Sequence, residues 1–261
     1  MPRELLHICG PFSIQSYGLA IASGLVLFLL FASQHPWRKR LLSQEAFFES
    51  MMIGIGTGLV GGRLLYVVQN YHEFGSLLDI FRVWDGGFAV LGSVLGILLS
   101  MPFYLRKRHI PVLPYFDLIA LFAPLLQSVS RLGCFFAGCC YGKPCTLAWS
   151  VTYTDSGSLA PLGIAIHPTQ LYSSLLLFCI FILFYFVAQK RIAKAGQLLA
   201  AYLICAGLER FLVDFWRADR EYFSFDIRHT FSSHQYIALA LVLAGLMLLK
   251  NLKNTPTYYS R

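Results

Sequence analysis

Four arginines lie inside long apolar stretches of the sequence, where charged side chains are rare. They are Arg63, Arg131, Arg210 and Arg217. An ionisable residue within a membrane-spanning segment costs several kcal/mol unless it is paired or hydrated, so each arginine marks a candidate functional site. The guanidinium fork suits bidentate binding of a phosphate, and a bilayer supplies phosphate in its head groups. The arginines therefore predict a site that binds a phospholipid head group.

Three charged residues near the sixth predicted helix are spaced to share one helix face. Arg210, Asp214 and Arg217 follow one another at i, i+4 and i+7, so a helix presents two guanidinium groups around one carboxylate. Two interpretations stay open. Either Asp214 neutralises its neighbours in a structural ion-pair ladder, or a surplus positive charge, to which Arg131 adds, binds a phosphate.

Arg63 lies on a polar stripe with Tyr66 and Asn70 on the second predicted helix. Close helix packing explains the glycines before it, because small residues let two helix backbones approach. These glycines are Gly54, Gly56, Gly58, Gly61 and Gly62. Packing does not explain Arg63, which we therefore predict to contact substrate.

Four of the seven cysteines cluster after the fourth predicted helix with the spacing C-x4-CC-x4-C: Cys134, Cys139, Cys140 and Cys145. The spacing lacks the C-x2-C pairs of structural zinc sites, and no histidine lies inside the cluster. A disulfide is favoured over a metal, because this loop is predicted to face an oxidising compartment. Free, half-buried thiols are the alternative. The sequence predicts no metal and no cofactor.

His167 directly precedes Pro168 at the predicted start of the fifth helix. Proline suits the first turn of a helix. The histidine is therefore either a structural residue at the helix start or a group that exchanges protons near neutral pH.

Membrane-spanning helices must position these residues. Of the 261 residues, 57% are hydrophobic and 13% are charged, whereas a soluble domain has roughly 25% charged residues. A helix needs about 20 mainly apolar residues to cross the hydrocarbon core. Seven segments predict an all-α, polytopic transmembrane helix bundle: 14–33, 47–69, 83–105, 113–136, 168–189, 196–217 and 234–250. Residues 1–261 are predicted to form a single integral membrane domain with an outer-side loop at about 137–167.

Basic residues set the orientation because they accumulate in short cytoplasmic loops. Clusters of three follow the first, third, fifth and last helices: Arg38, Lys39 and Arg40; Arg106, Lys107 and Arg108; Lys190, Arg191 and Lys194; Lys250, Lys253 and Arg261. The N-terminus is therefore predicted outside and the C-terminus in the cytoplasm, and the four intramembrane arginines fall in the outer halves of their spans. The net charge of +8 reflects this topology and predicts no nucleic-acid partner.

Taken in chain order, these residues resemble the prolipoprotein diacylglyceryl transferases of bacterial inner membranes. The matching segments are Phe12-Ser13-Ile14 with Tyr17-Gly18, Gly61-Gly62-Arg63-Leu64 with Tyr66, Gly86-Gly87 with Gly92 and Gly96, Asp117 with Ala123-Pro124, Arg131-Leu132-Gly133 with Gly138 and Gly142, His167 to Tyr172, and Arg210-Phe211 with Asp214-Phe215 and Arg217.

The resemblance implies a multi-pass protein of the bacterial cytoplasmic (inner) membrane, with its active site facing the outer side. The implied reaction transfers a diacylglyceryl group from phosphatidylglycerol to the lipobox cysteine of an exported prolipoprotein, forming a thioether and releasing glycerol phosphate. Its partners are phosphatidylglycerol, the prolipoprotein signal peptide and membrane lipid. We assign Arg131, Arg210, Tyr17, His167 and Asp214 to catalysis, and Arg131, Arg210, Arg63, Gly142, Arg217 and Cys134 to substrate binding.

Five positions depart from the family's pattern, and at one of them Asp214 replaces the usual glutamate. Cys134 stands where asparagine is usual, and Cys139 replaces an acidic residue. Leu91 replaces a histidine or tyrosine, and Ser173 stands where glutamate is expected. The imidazole proposed as thiol base in the family is therefore absent. Three functions stay open: a transferase with a cysteine-variant site, a paralogue that binds phosphatidylglycerol but uses another acceptor, and a non-catalytic lipid-binding protein, transporter or assembly factor.

Without that imidazole, the acceptor thiol must lose its proton in another way. We predict that the positive field of Arg131 and Arg210 favours the thiolate, with His167 as an auxiliary.

Overall fold

Helices make up most of the structure, a computed structural model that describes residues 4–9, 12–82, 86–223, 230–254 and 257–259. The α-helices are α1 (Ser16–Gln34), α2 (Pro36–Leu41), α3 (Gln44–Gln69), α4 (Val90–Lys107), α5 (Val112–Ala137), α6 (Thr169–Leu183), α7 (Gln189–Arg191), α8 (Gln197–Asp214) and α9 (Ser233–Asn251). The strands are short: β1 (Glu4–Cys9) pairs with β2 (Phe12–Gln15), and β3 (Val151–Thr152) pairs with β4 (Ala165–Ile166). The predicted all-α class is confirmed.

Six of the described helical segments are long and apolar enough to cross a membrane. They are α1, α3, α4, α5, the stretch Thr169–Arg191 that joins α6 to α7 through a π-helical turn, and α9. The seventh predicted segment is α8, whose last turns carry Glu209, Arg210 and Asp214. A helix therefore lies at each of the seven predicted positions, and the chain is a multi-pass membrane protein.

Packing divides the chain into two compact units, one formed by Met1–Ala32 with Phe116–Arg261 and the other by Ser33–Tyr115. The single membrane domain over residues 1–261 stays a prediction. The predicted outer loop corresponds to the segment between α5 and α6, whose only regular elements are β3 and β4 among the described residues.

In the unit Ser33–Tyr115, α3 and α4 approach each other through glycines. A Cβ atom on Gly61 would lie 2.4 Å from the carbonyl oxygen of Gly92. A Cβ atom on Gly96 would lie 2.3 Å from the carbonyl oxygen of Thr57. Because no larger residue fits at Gly61, the prediction that glycines of the second predicted helix allow close packing is confirmed there, whereas a Cβ atom on Gly56 would meet no atom within 4 Å.

In the other unit, a buried carboxylate fixes the start of α8 against α5. Asp117 of α5 accepts hydrogen bonds from the backbone N–H groups of Gly196, at 2.6 Å, and Leu199, at 2.8 Å. The Tyr259 hydroxyl donates a third bond at 3.0 Å. These bonds satisfy N–H groups that a helix start leaves unpaired. They also tie together the two helices that carry Arg131 and Arg210.

Candidate functional site

Arg131 lies in the last turns of α5 and is half-buried. Within the described residues its guanidinium forms neither a hydrogen bond nor an ion pair, although it lies within electrostatic reach of Cys134, Cys140 and Glu209. A half-buried guanidinium with unused donors is the arrangement expected of a group that binds an external anion.

Asp214 is fully buried and is the centre of a charged network at the end of α8. Its carboxylate lies 3.6 Å from the guanidinium of Arg210 and 3.3 Å from that of Arg220. The Ser232 hydroxyl donates a hydrogen bond of 2.5 Å to the same carboxylate. Two cations therefore share one anion, which leaves a surplus positive charge beside Arg131, as the second interpretation requires.

The predicted ladder of Arg210, Asp214 and Arg217 is wrong in its last member. Helix α8 ends at Asp214, so the chain has left the helix before Arg217. Arg217 instead forms a bidentate pair with Asp219, with donor–acceptor distances of 2.8 and 2.6 Å. Residues seven apart share a helix face only while the helix continues. Arg220, and not Arg217, is the second arginine that contacts Asp214.

Three of the clustered cysteines converge beside Arg131. The sulfur atoms of Cys134, Cys139 and Cys140 lie within 4.8 Å of one another. All three, and Cys145, are free thiols, so the predicted disulfide is wrong in this structure. A disulfide needs two sulfurs about 2.05 Å apart, whereas this geometry gathers three sulfurs around one point.

The thiols of the cluster influence one another. The thiols of Cys134 and Cys139, as hydrogen-bond donors, hold the pKa of Cys140 well below its ordinary range, and Arg217 and Arg131 act in the same direction. The same contacts raise the pKa of Cys139. Of Cys139 and Cys140, Cys140 is therefore the residue whose ionised form, the thiolate, is favoured.

The turn that carries the paired cysteines is held by residues at the start of α6. The Thr169 hydroxyl donates to the carbonyl of Cys140, and the side-chain amide of Gln170 donates to the carbonyl of Cys139, both at 2.7 Å. Cys140 has a φ of 59°, an unusual conformation for a residue with a Cβ atom. The Pro-Thr-Gln segment after His167 thus fixes the backbone of the cysteine turn.

Gly142 joins the cysteine turn to two neighbouring segments. Its N–H donates to the carbonyl of His167 at 3.1 Å, and it forms a β-bridge with Arg217. A Cβ atom here would lie 2.5 Å from both Cβ and the carbonyl oxygen of His167. This close approach requires glycine, so the structure explains Gly142 by backbone packing.

The variant Gly142→Ala is expected to destabilise the fold by about 2–3 kcal/mol, because an added methyl group must push the His167 backbone away. Thermal unfolding in detergent measures this effect. Gly56→Ala is the matched control, since a Cβ atom at that helical glycine meets no atom within 4 Å. Equal unfolding midpoints for the two variants would contradict the packing role.

Tyr17 lies in the first turn of α1, near the cysteine cluster. The two helices α1 and α5 meet at Gly133, where a Cβ atom would lie 3.2 Å from the carbonyl oxygen of Tyr17. The phenol is within electrostatic reach of Arg131 and the three clustered thiols. The structure therefore brings Tyr17, Arg131 and Cys134 together.

His167 contributes its backbone to the cysteine turn, but its side chain has another partner. Nδ1 lies 3.2 Å from the hydroxyl of Tyr172, which also accepts a hydrogen bond from the indole of Trp149. Within the described part of the chain, the imidazole contacts neither the arginines nor the thiols. Of the two interpretations of this histidine, the structural one fits these contacts.

Arg63 has a structural role that the sequence did not predict. Its guanidinium donates five hydrogen bonds, all to backbone carbonyls of the loop before α4: Asp79, Ile80, Arg82, Gly86 and Gly87, at 2.6–3.1 Å. A guanidinium has five N–H donors, so none is left for a substrate. The assignment of Arg63 to substrate binding is replaced by that of a loop-organising residue.

Replacing Arg63 with Lys is expected to lower the free energy of unfolding by about 2–4 kcal/mol, because an ammonium cannot satisfy five divergent carbonyls. Unfolding in detergent measures the change. Arg82→Lys is the control, since the exposed Arg82 side chain has an ion pair with Asp79 of the kind that contributes at most about 1 kcal/mol. A stable Arg63→Lys protein with impaired lipid binding would return Arg63 to the substrate site.

Comparison with known proteins agrees with the motifs. The family model for prolipoprotein diacylglyceryl transferase matches residues 3–250. The chain belongs to this family. A phosphatidylglycerol–prolipoprotein diacylglyceryl transferase of Clostridium tetani is 33% identical over 235 residues, which cover 89% of this chain and 91% of the relative. One from Fervidobacterium nodosum is 31% identical over 251 residues, covering 93% of this chain and 82% of the relative.

One departure from the family's pattern is compensated within the structure. Ser173 stands where the family pattern has glutamate, and its hydroxyl donates a 2.5 Å hydrogen bond to Glu209 of α8. Both residues are buried, and Glu209 lies within electrostatic reach of Arg131 and Arg210. A carboxylate is therefore present in this region, but it comes from α8 and not from α6.

Several residues of the site were missed from the sequence. They are Glu209, Arg220, Ser232, His234 and Gln235. Gln235 accepts a 2.6 Å hydrogen bond from Arg220, and Nδ1 of His234 is buried without a hydrogen-bond partner in the described residues. The charge of Glu209 inside an apolar span was a usable signal. The others lie after the end of α8, where no helical spacing indicates which residues meet.

Proposed function

We propose that this chain transfers the diacylglyceryl group of phosphatidylglycerol to the lipobox cysteine of a prolipoprotein. Three of its relatives carry the name phosphatidylglycerol–prolipoprotein diacylglyceryl transferase, which describes this reaction. The observation that carries the proposal is the Arg131 guanidinium, which is half-buried and has no anionic partner bound to it among the described residues. Arg210 adds a second guanidinium, held by Asp214 at 3.6 Å.

The reaction forms a bond between the acceptor sulfur and the glyceryl carbon that bears the phosphate ester. The bond between that carbon and the ester oxygen breaks, its electron pair stays on oxygen, and glycerol phosphate leaves. Negative charge therefore grows on the phosphate as the transition state forms. Arg131 and Arg210 stabilise this charge in a site shielded from bulk water, where fixed cations act most strongly.

Asp214 positions Arg210 in this mechanism. The carboxylate is fully buried, with Arg210, Arg220 and Ser232 around it. Within the described residues these contacts are two guanidinium groups and a hydroxyl, and none of them is a thiol. Tyr17 lies within electrostatic reach of Arg131 and of the three clustered thiols.

The proposal includes a location in the cytoplasmic membrane, with the site facing outward. Basic clusters lie just after α1, at the end of α4 and around α7, which supports a cytoplasmic position for these three regions. Helices α5 and α8 then both run from the cytoplasmic to the outer side. Their C-terminal ends, which carry Arg131 and Arg210, consequently lie at the outer face, where exported prolipoproteins present their cysteine.

A paralogue with another thiol acceptor is the second candidate. The observation that favours it is Leu91, an exposed leucine with no proton-accepting atom, at a position where the family pattern has histidine or tyrosine. Phosphatidylglycerol binding is common to both candidates, so lipid binding alone does not separate them.

Complementation of a bacterium depleted of its own diacylglyceryl transferase separates the two candidates. Growth and lipidated lipoproteins are expected with the wild-type chain but not with Arg131→Gln present at an equal level in the membrane. Absence of rescue by a wild-type chain that is folded and binds phosphatidylglycerol would favour the paralogue.

A further inference from the structure

We propose that Cys134, Cys139 and Cys140 bind a Zn²⁺ ion whose fourth coordination position receives the thiol of the acceptor cysteine. The inference rests on the proposed function and assigns the group that stabilises the thiolate of the acceptor cysteine. It reverses the expectation, drawn from the cysteine spacing, that the cluster holds no metal.

The geometry of the three sulfurs fits one metal ion. They lie within 4.8 Å of one another, whereas sulfurs bound to one tetrahedral zinc at about 2.3 Å are about 3.8 Å apart. A contraction of about 1 Å is within the reach of side-chain rotation. Cys134 comes from the end of α5 and the other two from the following turn, so the sulfurs approach a common point from two directions.

The backbone of the cysteine turn is fixed next to the point where the three sulfurs meet. The hydrogen bonds from Thr169 and Gln170 fix the carbonyls of Cys140 and Cys139, and Cys140 is kept at a positive φ. Backbone restraint of this kind orients the ligands before a metal arrives, which strengthens a metal site. Cys145 lies outside the cluster of three.

The ligand set favours a soft metal with an open position. Thiolates select Zn²⁺ or Cu⁺ over harder cations, and zinc sites that act on substrates have three protein ligands and one free position. Zinc with three thiolates carries one net negative charge, and Arg131 and Arg217 lie within electrostatic reach of Cys140 to balance it. Cys134 is buried, while Cys139 and Cys140 are half-buried, which leaves access from one side.

A zinc ion at this point supplies what Leu91 and His167 do not. A thiol that binds to zinc gives up its proton to solvent and remains as a thiolate, the nucleophilic form. That sulfur then attacks the glyceryl carbon, the carbon–oxygen bond to phosphate breaks, and glycerol phosphate leaves with the bonding electron pair. The zinc ion keeps its charge and its three cysteine ligands throughout.

The test begins with metal content and coordination. Protein purified without chelators is expected to contain about one zinc per chain, bound by three sulfurs in X-ray absorption. Adding a lipobox peptide should raise the sulfur count to four, whereas the same peptide with Cys→Ser should leave it at three. Cys134→Ser, Cys139→Ser and Cys140→Ser should each lose zinc, while Cys145→Ser, from the same loop, should retain it.

Transfer measurements separate the inference from the function on which it rests. Removing zinc with a chelator is expected to slow transfer at least about 100-fold, as loss of a thiol-activating group does, and added Zn²⁺ should restore it. Full activity in zinc-free protein, stoichiometric copper in place of zinc, or a disulfide within the cluster would overturn the inference while leaving the transferase proposal intact. Zinc bound by the three cysteines, with no alkylation of the peptide, would instead refute the transferase proposal.

Discussion

Arg131→Lys is expected to lower the transfer rate at least about 100-fold while the protein stays folded, which is the effect of removing one donor that stabilises charge in a transition state. Lysine keeps the positive charge but loses the planar fork that binds two phosphate oxygens at once. Arg131 has no hydrogen bond or ion pair among the described residues, so its replacement breaks no bond of either kind there.

The rate is measured per mole of folded protein, with phosphatidylglycerol vesicles and a lipobox peptide. Arg106→Lys provides the control, since this exposed residue lies in the basic cluster after the third predicted span. Its rate should match that of the wild type. Transfer at the wild-type rate by Arg131→Lys would show that the fork does not bind the leaving phosphate.

Asp214→Ala is expected to destabilise the protein by about 3–5 kcal/mol, the effect of leaving a buried cation without its partner. The carboxylate is fully buried between Arg210 and Arg220, and Ser232 at the start of α9 donates to it at 2.5 Å. Its removal therefore loosens the end of α8 and the start of α9 together. Loss of activity should accompany loss of folded protein.

Unfolding in detergent, followed by the exposure of buried cysteines to a thiol reagent, measures this change. Glu221→Ala is the matched control, because Glu221 is an exposed acidic residue of the same outer segment. Surface substitutions of this kind change stability by at most about 0.5 kcal/mol. If Asp214→Ala were as stable as Glu221→Ala but inactive, Asp214 would have a direct chemical role and not the positioning role assigned to it.

The helices were predictable because lipid imposes a simple rule. A segment must be apolar for about 20 residues to span a bilayer, and this length makes helix positions visible in the sequence. Close packing of α3 against another helix was also visible, since runs of glycine have few other uses within a span. The end of α8 was not, because Phe215 and Trp216 are as apolar as the helix before them.

The partners of charged residues could not be predicted, because they depend on where loops return in space. Arg63 donates hydrogen bonds to backbone carbonyl oxygens. Every residue has such an oxygen, so the residue types in the sequence do not identify these partners. The predicted oxidising compartment of the loop suggested a disulfide, yet the turn held by Thr169 and Gln170 gathers three sulfurs at one point. From the sequence, Ser173 removed the carboxylate that the family pattern has at this position. In the structure, α8 places the carboxylate of Glu209 within hydrogen-bond distance of Ser173.

Mass analysis of a lipobox peptide incubated with purified protein and phosphatidylglycerol vesicles is a direct test of the proposed transfer. We expect the peptide to gain one diacylglyceryl group on its cysteine sulfur, and one glycerol phosphate to appear for each peptide modified. Neither product should form with the Cys→Ser peptide or with Arg131→Gln. An unmodified peptide in the presence of folded, lipid-bound, zinc-loaded protein would contradict the account.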